Sequence, residues 1–276
     1  MKAQHQGNIV RFEYETYDYT RKNKTKIIKP AYVYLPYGYN DKDTTTRYNI
    51  LYLMHGWTMT ASDFFYDGSS HLSNLLDNMI ENGDIQPLIV VCATFDAENQ
   101  SQGFPRSVSE IAVFHNDFRN DLIVAVEKHF HTYAKGTTEA ELQASRLHRA
   151  FAGFSLGAVT TWYQFVYNID FIKYFIPMSG DCWILGTYGG MYHPVETTRY
   201  LENVVQSNGF ENDFFVYSFI GTSDAIWNQS DTQMRAMIKS HIFTPRTFKH
   251  GIKLNGRHTI PSCEEYLYNA LKMFFS

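Results

Sequence analysis

The sequence predicts an α/β protein with a mostly parallel sheet, helices on both faces of that sheet and an antiparallel pair of strands at the N-terminus. Short apolar runs alternate along the chain with amphipathic segments of helical period, which is typical of buried strands joined by crossover helices. Near the start, two segments instead alternate apolar and polar residues, as half-exposed strands do. The chain has 276 residues, of which 44% are hydrophobic and 19% charged. It can therefore bury the core of one large domain, which we place at residues 1–276.

The predicted elements follow one another in a regular order. The antiparallel pair covers residues 8–19 and 26–35, and a turn follows at residues 37–40. The later strands are predicted at residues 48–54, 88–93, 150–152, 174–178, 214–220 and 247–254. The helices are predicted at residues 71–82, 116–130, 158–168 and 264–274. In such a sheet the carboxyl ends of the strands are where reacting groups collect, so the loops there are searched for chemistry.

A Gly-x-Ser-x-Gly motif lies between a predicted strand and a predicted helix. Its residues are Gly153-Phe154-Ser155-Leu156-Gly157. Such a motif forms a nucleophile elbow, in which the strand ends in a tight, strained turn that exposes the serine and a helix begins at once. Glycines flank the serine because the close approach of helix and strand leaves little room for side chains. The motif refines the fold prediction to an α/β-hydrolase fold with Ser155 as the nucleophile.

A serine hydroxyl is a weak nucleophile near neutral pH and needs a histidine base that a carboxylate orients. His258 follows the last predicted strand and precedes the last helix, which is the position of the base in this fold. Two acids fit the chain order serine, acid, histidine: Asp181 and Asp224, each of which follows a predicted strand. We favour Asp224 because the acid commonly follows the later strand. Asp181 is then expected to shape the substrate-binding loop beside the site.

The tetrahedral intermediate of acyl transfer also needs an oxyanion hole, made of two backbone N–H groups. We expect one from Leu156, directly after the serine, where a helix N-terminus adds partial positive charge. We expect the second from Trp57 in the segment His55-Gly56-Trp57, which follows the first buried strand. The Trp57 ring is in addition a candidate wall of the acyl pocket.

Composition argues against several other classes of function. A net charge of -4 and a pI near 6.2 give no basic patch for nucleic acid. No run of about twenty apolar residues predicts a membrane span, and the polar start of the chain lacks the pattern of a signal peptide. The three cysteines are odd in number and are not spaced like zinc ligands, so we expect free thiols. The histidines form no metal-binding motif, and we expect no metal and no cofactor.

Sequence phrases spread from residue 33 to the final helix carry a family resemblance. They are Val33-Tyr34-Leu35-Pro36-Tyr37-Gly38-Tyr39, Tyr52-Leu53-Met54-His55-Gly56, Pro87-Leu88-Ile89-Val90-Val91, Ser145-Arg146-Leu147-His148-Arg149, the serine motif with Thr160-Thr161-Trp162-Tyr163, and Met178-Ser179-Gly180-Asp181. With these phrases the chain resembles the family 1 carbohydrate esterases, and within them the feruloyl esterase domains that accompany xylanases. It departs from the family pattern at the missing oxyanion glycines, at residues 182–192 and at Thr259-Ile260.

The resemblance implies a serine carboxylesterase with Ser155, His258 and Asp224 as its triad. It further implies that the enzyme releases ferulic or related hydroxycinnamic acids from the arabinoxylan of plant cell walls through an acyl-enzyme. Aromatic residues near the strand ends are the candidates to contact the phenyl ring or the sugars; they are Trp57, Trp183, Tyr188 and Trp227.

Two alternatives stay open on the sequence alone. One keeps the fold and changes the substrate, giving an acetyl xylan esterase or a hydrolase of a small ester or thioester such as S-formylglutathione. The other is a non-catalytic carbohydrate-binding protein. The resemblance implies a secreted enzyme whose signal peptide is absent from this chain, while a cytoplasmic enzyme acting on imported oligosaccharides stays open. The oligomeric state is not specified by the sequence.

Overall fold

The computed structural model describes residues 2–97 and 103–275, and within them eight strands form one sheet. The strands are β1 (Asn8–Tyr17), β2 (Lys26–Leu35), β3 (Asn49–Met54), β4 (Leu88–Ala93), β5 (Arg149–Phe154), β6 (Tyr174–Met178), β7 (Phe215–Gly221) and β8 (Phe248–Lys253). Their order in the sheet is β1-β2-β4-β3-β5-β6-β7-β8. β2 pairs antiparallel with both of its neighbours, and the other neighbouring pairs are parallel. The predicted mostly parallel sheet with an N-terminal antiparallel pair is confirmed.

The helices connect these strands. They are α1 (Asp63–Tyr66), α2 (Leu72–Glu81), α3 (Phe104–Asp117), α4 (Ile123–His129), α5 (Glu139–Ala144), α6 (Leu156–Asn168), α7 (Gly189–Tyr192), α8 (Pro194–Asn208), α9 (Trp227–Met237) and α10 (Ile260–Leu271). A π-helical turn, Phe118–Leu122, joins α3 to α4, and a short 3-10 turn, Arg146–His148, leads into β5. In the two described ranges we find no helix with both the length and the apolar character that crossing a bilayer requires.

The sheet separates two hydrophobic cores, because successive side chains of a strand point to opposite faces. On β3, Tyr52 and Met54 pack into the core that α3, α4, α6, α8 and α9 cover. Leu51 and Leu53 of the same strand pack into the core that α2 and α10 cover. This arrangement confirms helices on both faces. The three cysteines are buried in these cores as free thiols, as predicted.

Several predicted boundaries were wrong. The helix predicted at residues 116–130 begins at Phe104 in the structure. The sequence did not reveal this start, because Glu110 lies on the buried side of α3 and interrupts its apolar stripe. The last helix begins at Ile260, four residues early, with Pro261 in its first turn, where the missing proline N–H costs nothing. β1 ends at Tyr17 instead of residue 19.

A buried ion pair fixes the start of β5, the strand that ends at the serine. The guanidinium of Arg149 donates two parallel hydrogen bonds to Glu127, with Nε to Oε1 at 2.6 Å and Nη2 to Oε2 at 2.9 Å. Both side chains are 1% exposed. Tyr52 donates its hydroxyl to Glu127 at 3.1 Å, and Arg149 also donates to the carbonyl of Leu142 at 3.0 Å. Every strong polar group here is paired, which is the condition under which a buried ion pair is tolerated.

We predict that Glu127→Gln lowers the free energy of unfolding by about 3 kcal/mol, because it leaves the buried charge of Arg149 uncompensated. Urea denaturation followed by circular dichroism measures the change. The matched control is Glu15→Gln, which removes an exposed ion pair with Lys26 at 2.7 Å and is expected to leave the urea midpoint unchanged. Equal effects of the two substitutions would contradict the importance of the buried pair.

Candidate active site

The serine lies in a strained turn at the carboxyl end of β5. Ser155 has φ 58° and ψ -118°, a conformation that side chains rarely adopt, and α6 begins at the next residue. A Cβ atom on Gly153 would lie 2.0 Å from the carbonyl oxygen of Gly157, and one on Gly157 would lie 2.2 Å from that of Met54. Only glycine fits at these two positions, so the turn has the steric form of a nucleophile elbow.

His258 and Asp224 form a pair beside this turn. The imidazole Nδ1 of His258 lies 2.9 Å from Oδ1 and 3.1 Å from Oδ2 of Asp224. The Phe154 ring packs against the His258 ring with 4.4 Å between centroids, so the imidazole stands next to the serine turn. The Asp224 side chain is fully buried, while that of His258 is 30% exposed and therefore reachable from solvent. A buried carboxylate that is hydrogen-bonded to a partly exposed imidazole is the arrangement that activates a serine.

The loops that carry the acid and the base are joined by backbone hydrogen bonds. Ser223 donates its N–H to the carbonyl of Gly256 at 3.0 Å, and Thr222 donates to that of Lys253 at 2.9 Å. A Cβ atom on Gly221 would lie 2.2 Å from the Gly256 carbonyl oxygen. The two chains thus approach as closely as backbone allows, and the distance between Asp224 and His258 is set by main-chain contacts.

The environment of Asp224 favours its ionised form. Burial raises the pKa of this carboxyl, but hydrogen bonds from His258 and from the Ile226 N–H, at 3.0 Å to Oδ1, outweigh burial, and the net pKa lies below the ordinary aspartate value. A carboxylate that stays charged can hold Nδ1–H of the imidazole and leave the other ring nitrogen free to accept a proton.

Asp181, the other candidate acid, has different partners. Its Oδ1 accepts from the indole Nε1 of Trp183 at 2.8 Å, and its Oδ2 accepts from the backbone N–H of Met191 at 3.0 Å. The residue is 1% exposed, and burial raises its pKa. The carboxylate therefore orients Trp183 and ties the two ends of the loop that follows β6.

The two predicted oxyanion donors flank the serine. Leu156 is the first residue of α6, where helix N–H groups have no partner inside the helix. A Cβ atom on Gly56 would lie 3.1 Å from Cβ of Ser155, so the segment after β3 passes directly beside this serine. The N–H groups of Leu156 and Trp57 belong to these two segments, and their roles stay predictions.

A row of aromatic rings begins at this segment; we call Trp57, Phe104, Trp183, Tyr188 and Tyr192 the aromatic row. Its successive centroids are 5.2, 6.3, 4.9 and 6.3 Å apart. The rings of each consecutive pair meet edge to face, a favourable aromatic geometry. Trp57 is 42% exposed, whereas Trp183 is buried. The row starts at Trp57, which directly follows the Gly56 that borders Ser155.

Trp227 begins α9 and donates its backbone N–H to the carbonyl of Asp224 at 3.1 Å, and its contact with the substrate stays a prediction. Phe104 joins Trp57 to Trp183 and was missed by the sequence analysis. A correct prediction of the start of α3 would have pointed to Phe104, but Glu110 interrupts the apolar stripe from which that start would be predicted.

Comparison with known proteins supports an esterase. The family model described as "Putative esterase" matches residues 25–238. Endo-1,4-beta-xylanase Y of Acetivibrio thermocellus is 35% identical over 276 residues, which are 98% of this chain and 23% of that protein. An endo-1,4-beta-xylanase/feruloyl esterase of Xylanibacter ruminicola is 31% identical over 163 residues, which are 58% of this chain and 20% of that protein. The chain thus spans less than a quarter of the length of these curated relatives.

A solved structure of a feruloyl esterase module is also similar to this chain. The feruloyl esterase module from Clostridium thermocellum, as a serine-to-alanine mutant complexed with sinapinate, has a TM-score of 0.83 with this chain at 32% sequence identity. The match covers 100% of this chain and 90% of that one.

We predict that Asp224→Asn lowers kcat by about 10⁴-fold, because an amide at this position favours the wrong imidazole tautomer. Asp181→Asn is the matched control, since that carboxylate contacts Trp183 and Met191 and is expected to give a much smaller loss. Steady-state hydrolysis of p-nitrophenyl acetate by both variants measures the effects. The opposite ranking would assign the acid to Asp181.

Proposed function

The chain belongs to the esterase family, and from this premise we propose that it is a serine carboxylesterase that releases ferulic acid or a related hydroxycinnamic acid from esterified arabinoxylan. The observation that carries the proposal is the His258–Asp224 pair beside the strained Ser155, at the start of the aromatic row. The pair supplies the chemistry, and the row supplies a surface for an aromatic acyl group.

The reaction proceeds in two acyl transfers. His258 removes the proton of the Ser155 hydroxyl as its oxygen attacks the ester carbonyl, and the N–H groups of Leu156 and Trp57 stabilise the resulting oxyanion. His258 then gives the proton to the departing sugar oxygen. Water attacks the acyl-enzyme by the same route, releasing the acid and restoring Ser155. Asp224 stabilises the imidazolium that forms in both halves.

The aromatic row supports a hydroxycinnamoyl group as the acyl part of the substrate. Such a group is flat, apolar on its faces and conjugated to the ester carbonyl, so its ring is held at a fixed distance from the reacting carbon. Trp57 and Phe104 lie closest along the row to the segment beside Ser155, and Asp181 fixes the indole of Trp183 behind them. Rings held by packing and hydrogen bonds lose little conformational freedom on binding. A small acetyl group would leave most of this wall unused.

The relatives support the same substrate class. One is named as a feruloyl esterase module complexed with sinapinate, which is a hydroxycinnamate, and two are named as xylanases. We therefore assign feruloylated arabinoxylan or its oligosaccharides as the substrate and place the activity outside the cell, where plant cell walls are encountered.

We predict that the protein releases ferulate from methyl ferulate and from feruloylated arabinoxylan, and that Ser155→Ala abolishes both activities. Chromatography of the released acid measures them, with p-nitrophenyl acetate as the small-ester control. Hydrolysis of the acetate alone would favour a deacetylase or small-ester hydrolase. Binding of xylan without turnover of any ester would favour a carbohydrate-binding protein.

We predict that Trp57→Ala lowers kcat/KM for methyl ferulate by about tenfold, which corresponds to 1.4 kcal/mol of lost ring contact. Hydrolysis of p-nitrophenyl acetate is expected to change little, because alanine keeps the backbone N–H. Tyr133→Ala is the matched control: this ring is 41% exposed and stacks on His148 near the amino end of β5, away from the serine. Equal losses on both esters would remove Trp57 from the acyl wall.

A further inference from the structure

His55, the residue after β3, is buried and has a polar partner at each ring nitrogen. Nδ1 lies 2.8 Å from the carbonyl oxygen of Gly56, and Nε2 lies 2.8 Å from the hydroxyl of Thr94, which follows β4. The residue is 0% exposed and packs against the Phe95 ring with 4.5 Å between centroids. A histidine held on both sides inside the fold is oriented firmly, although its ring does not reach the surface.

The partners determine which nitrogen of His55 carries the hydrogen. A carbonyl oxygen only accepts, so Nδ1 donates to Gly56. Burial lowers the pKa of His55 to about 4, so the ring is neutral near pH 7 and Nε2 accepts. The hydroxyl of Thr94 accepts the backbone N–H of Asp96 at 3.1 Å and has its own hydrogen left to donate to Nε2. The three hydrogen bonds are all donated in the same direction, from the Asp96 N–H through Thr94 and His55 to the Gly56 carbonyl.

The carbonyl that His55 holds belongs to the same peptide group as the N–H of Trp57. In a trans peptide the C=O and N–H bonds point in opposite directions, so fixing one fixes the other. Gly56 also accepts the N–H of Met59 at 3.3 Å, and Thr58 between them has φ 69°, as the third residue of a type II turn requires. His55 holds the oxygen toward the protein interior, so the Trp57 N–H is directed away from that interior. Gly56 itself borders Ser155.

We propose that His55 is a positioning residue that aims the Trp57 N–H into the oxyanion hole by holding the carbonyl of Gly56. The inference rests on the proposed function, in which that N–H stabilises the tetrahedral intermediate. An oxyanion hole is effective because its donors are already aimed before the charge develops. Trp57 is 42% exposed and its turn lies at the surface, so an anchor on the interior side replaces the packing that a buried loop would have.

Two substitutions of similar size separate the two hydrogen bonds of His55. His55→Asn places an amide N–H near the position of Nδ1 and can still donate to Gly56. His55→Gln places its amide near the position of Nε2, so it keeps the Thr94 contact and loses the one to Gly56. We expect His55→Gln to lower kcat by about 10- to 100-fold, which is less than the roughly 10²- to 10³-fold cost of deleting an oxyanion donor. We expect His55→Asn to recover most of that loss.

A transition-state mimic distinguishes aiming from a merely structural role. A trifluoromethyl ketone analogue of ferulate forms a tetrahedral adduct with the serine, whereas ferulate itself is planar. His55→Gln is expected to weaken binding of the ketone by the same factor as kcat, with ferulate affinity unchanged. Thermal denaturation is measured in parallel. The matched control is His115→Gln. His115 lies in α3, outside the site, where its ring stacks on Tyr167 of α6. Burial also lowers the pKa of His115 to about 4.

A loss of kcat and of ketone affinity that is specific to His55→Gln and reversed in His55→Asn supports the inference. Unchanged ketone affinity in His55→Gln, or equal losses in both variants and in the His115 control, overturns it. All variants are assayed on methyl ferulate and on p-nitrophenyl acetate. If the wild-type protein hydrolyses only the acetate, the proposed substrate fails while the His55 comparison is read from the acetate; if it hydrolyses neither, both proposals fail.

Discussion

The close approach of three backbone segments around the serine is the constraint on which the site depends. β3 and β5 are neighbours in the sheet, with Met54 opposite Gly153, and α6 starts against their carboxyl ends. Because neither Gly153 nor Gly157 has a side chain, the first turn of α6 fits against the Met54 carbonyl. The same approach strains Ser155 and brings Gly56 alongside it. A methyl group at either glycine would therefore change the nucleophile and its surroundings together.

The proposed acid and base are positioned by backbone contacts between loops that follow adjacent parallel strands. β7 and β8 are neighbours, and their loops are tied through Gly221, Thr222 and Gly256. Asp224 and His258 are consequently placed by the sheet register plus a few main-chain hydrogen bonds. Short, tied loops suit this task, since misplacement of a reacting group by about 1 Å can cost 10²-fold in rate.

Sequence reasoning reached the parts of this molecule that have a local signature. Three such signatures follow from a single rule of burial or of steric fit. They are the apolar runs of β3 and β4, the alternation of apolar and polar residues in β1 and β2, and the glycines around Ser155. Helices α8 and α9 and the true start of α3 were missed, because polar residues such as Gln233 and Glu110 are buried on their core sides. The partner of Gln233 is distant in sequence, because Gln233 accepts the N–H of Cys182. Glu110 accepts from Arg106, one helical turn away, and also from the N–H of Ala97, which precedes α3. No local pattern encodes the contacts with Cys182 and Ala97, and the same holds for the place of Phe104 in the aromatic row.

The acid–base pair and the aromatic row lie on different elements of the fold, and this bears on how such a site can change its substrate. The pair of Asp224 and His258 is tied to the sheet. The aromatic row comes instead from the segment after β3, the start of α3 and the loop between β6 and α8. Asp181 holds that loop at Trp183 and Met191, and Gln233 accepts the N–H of Cys182 in the same loop. It is also one of the three places where the sequence departs from the pattern of the family that it resembles. Substitutions between Trp183 and Tyr192 can reshape the proposed acyl wall while the distance between Asp224 and His258 stays fixed. The backbone hydrogen bonds that tie the loops of these two residues run from Thr222 and Ser223 to Lys253 and Gly256.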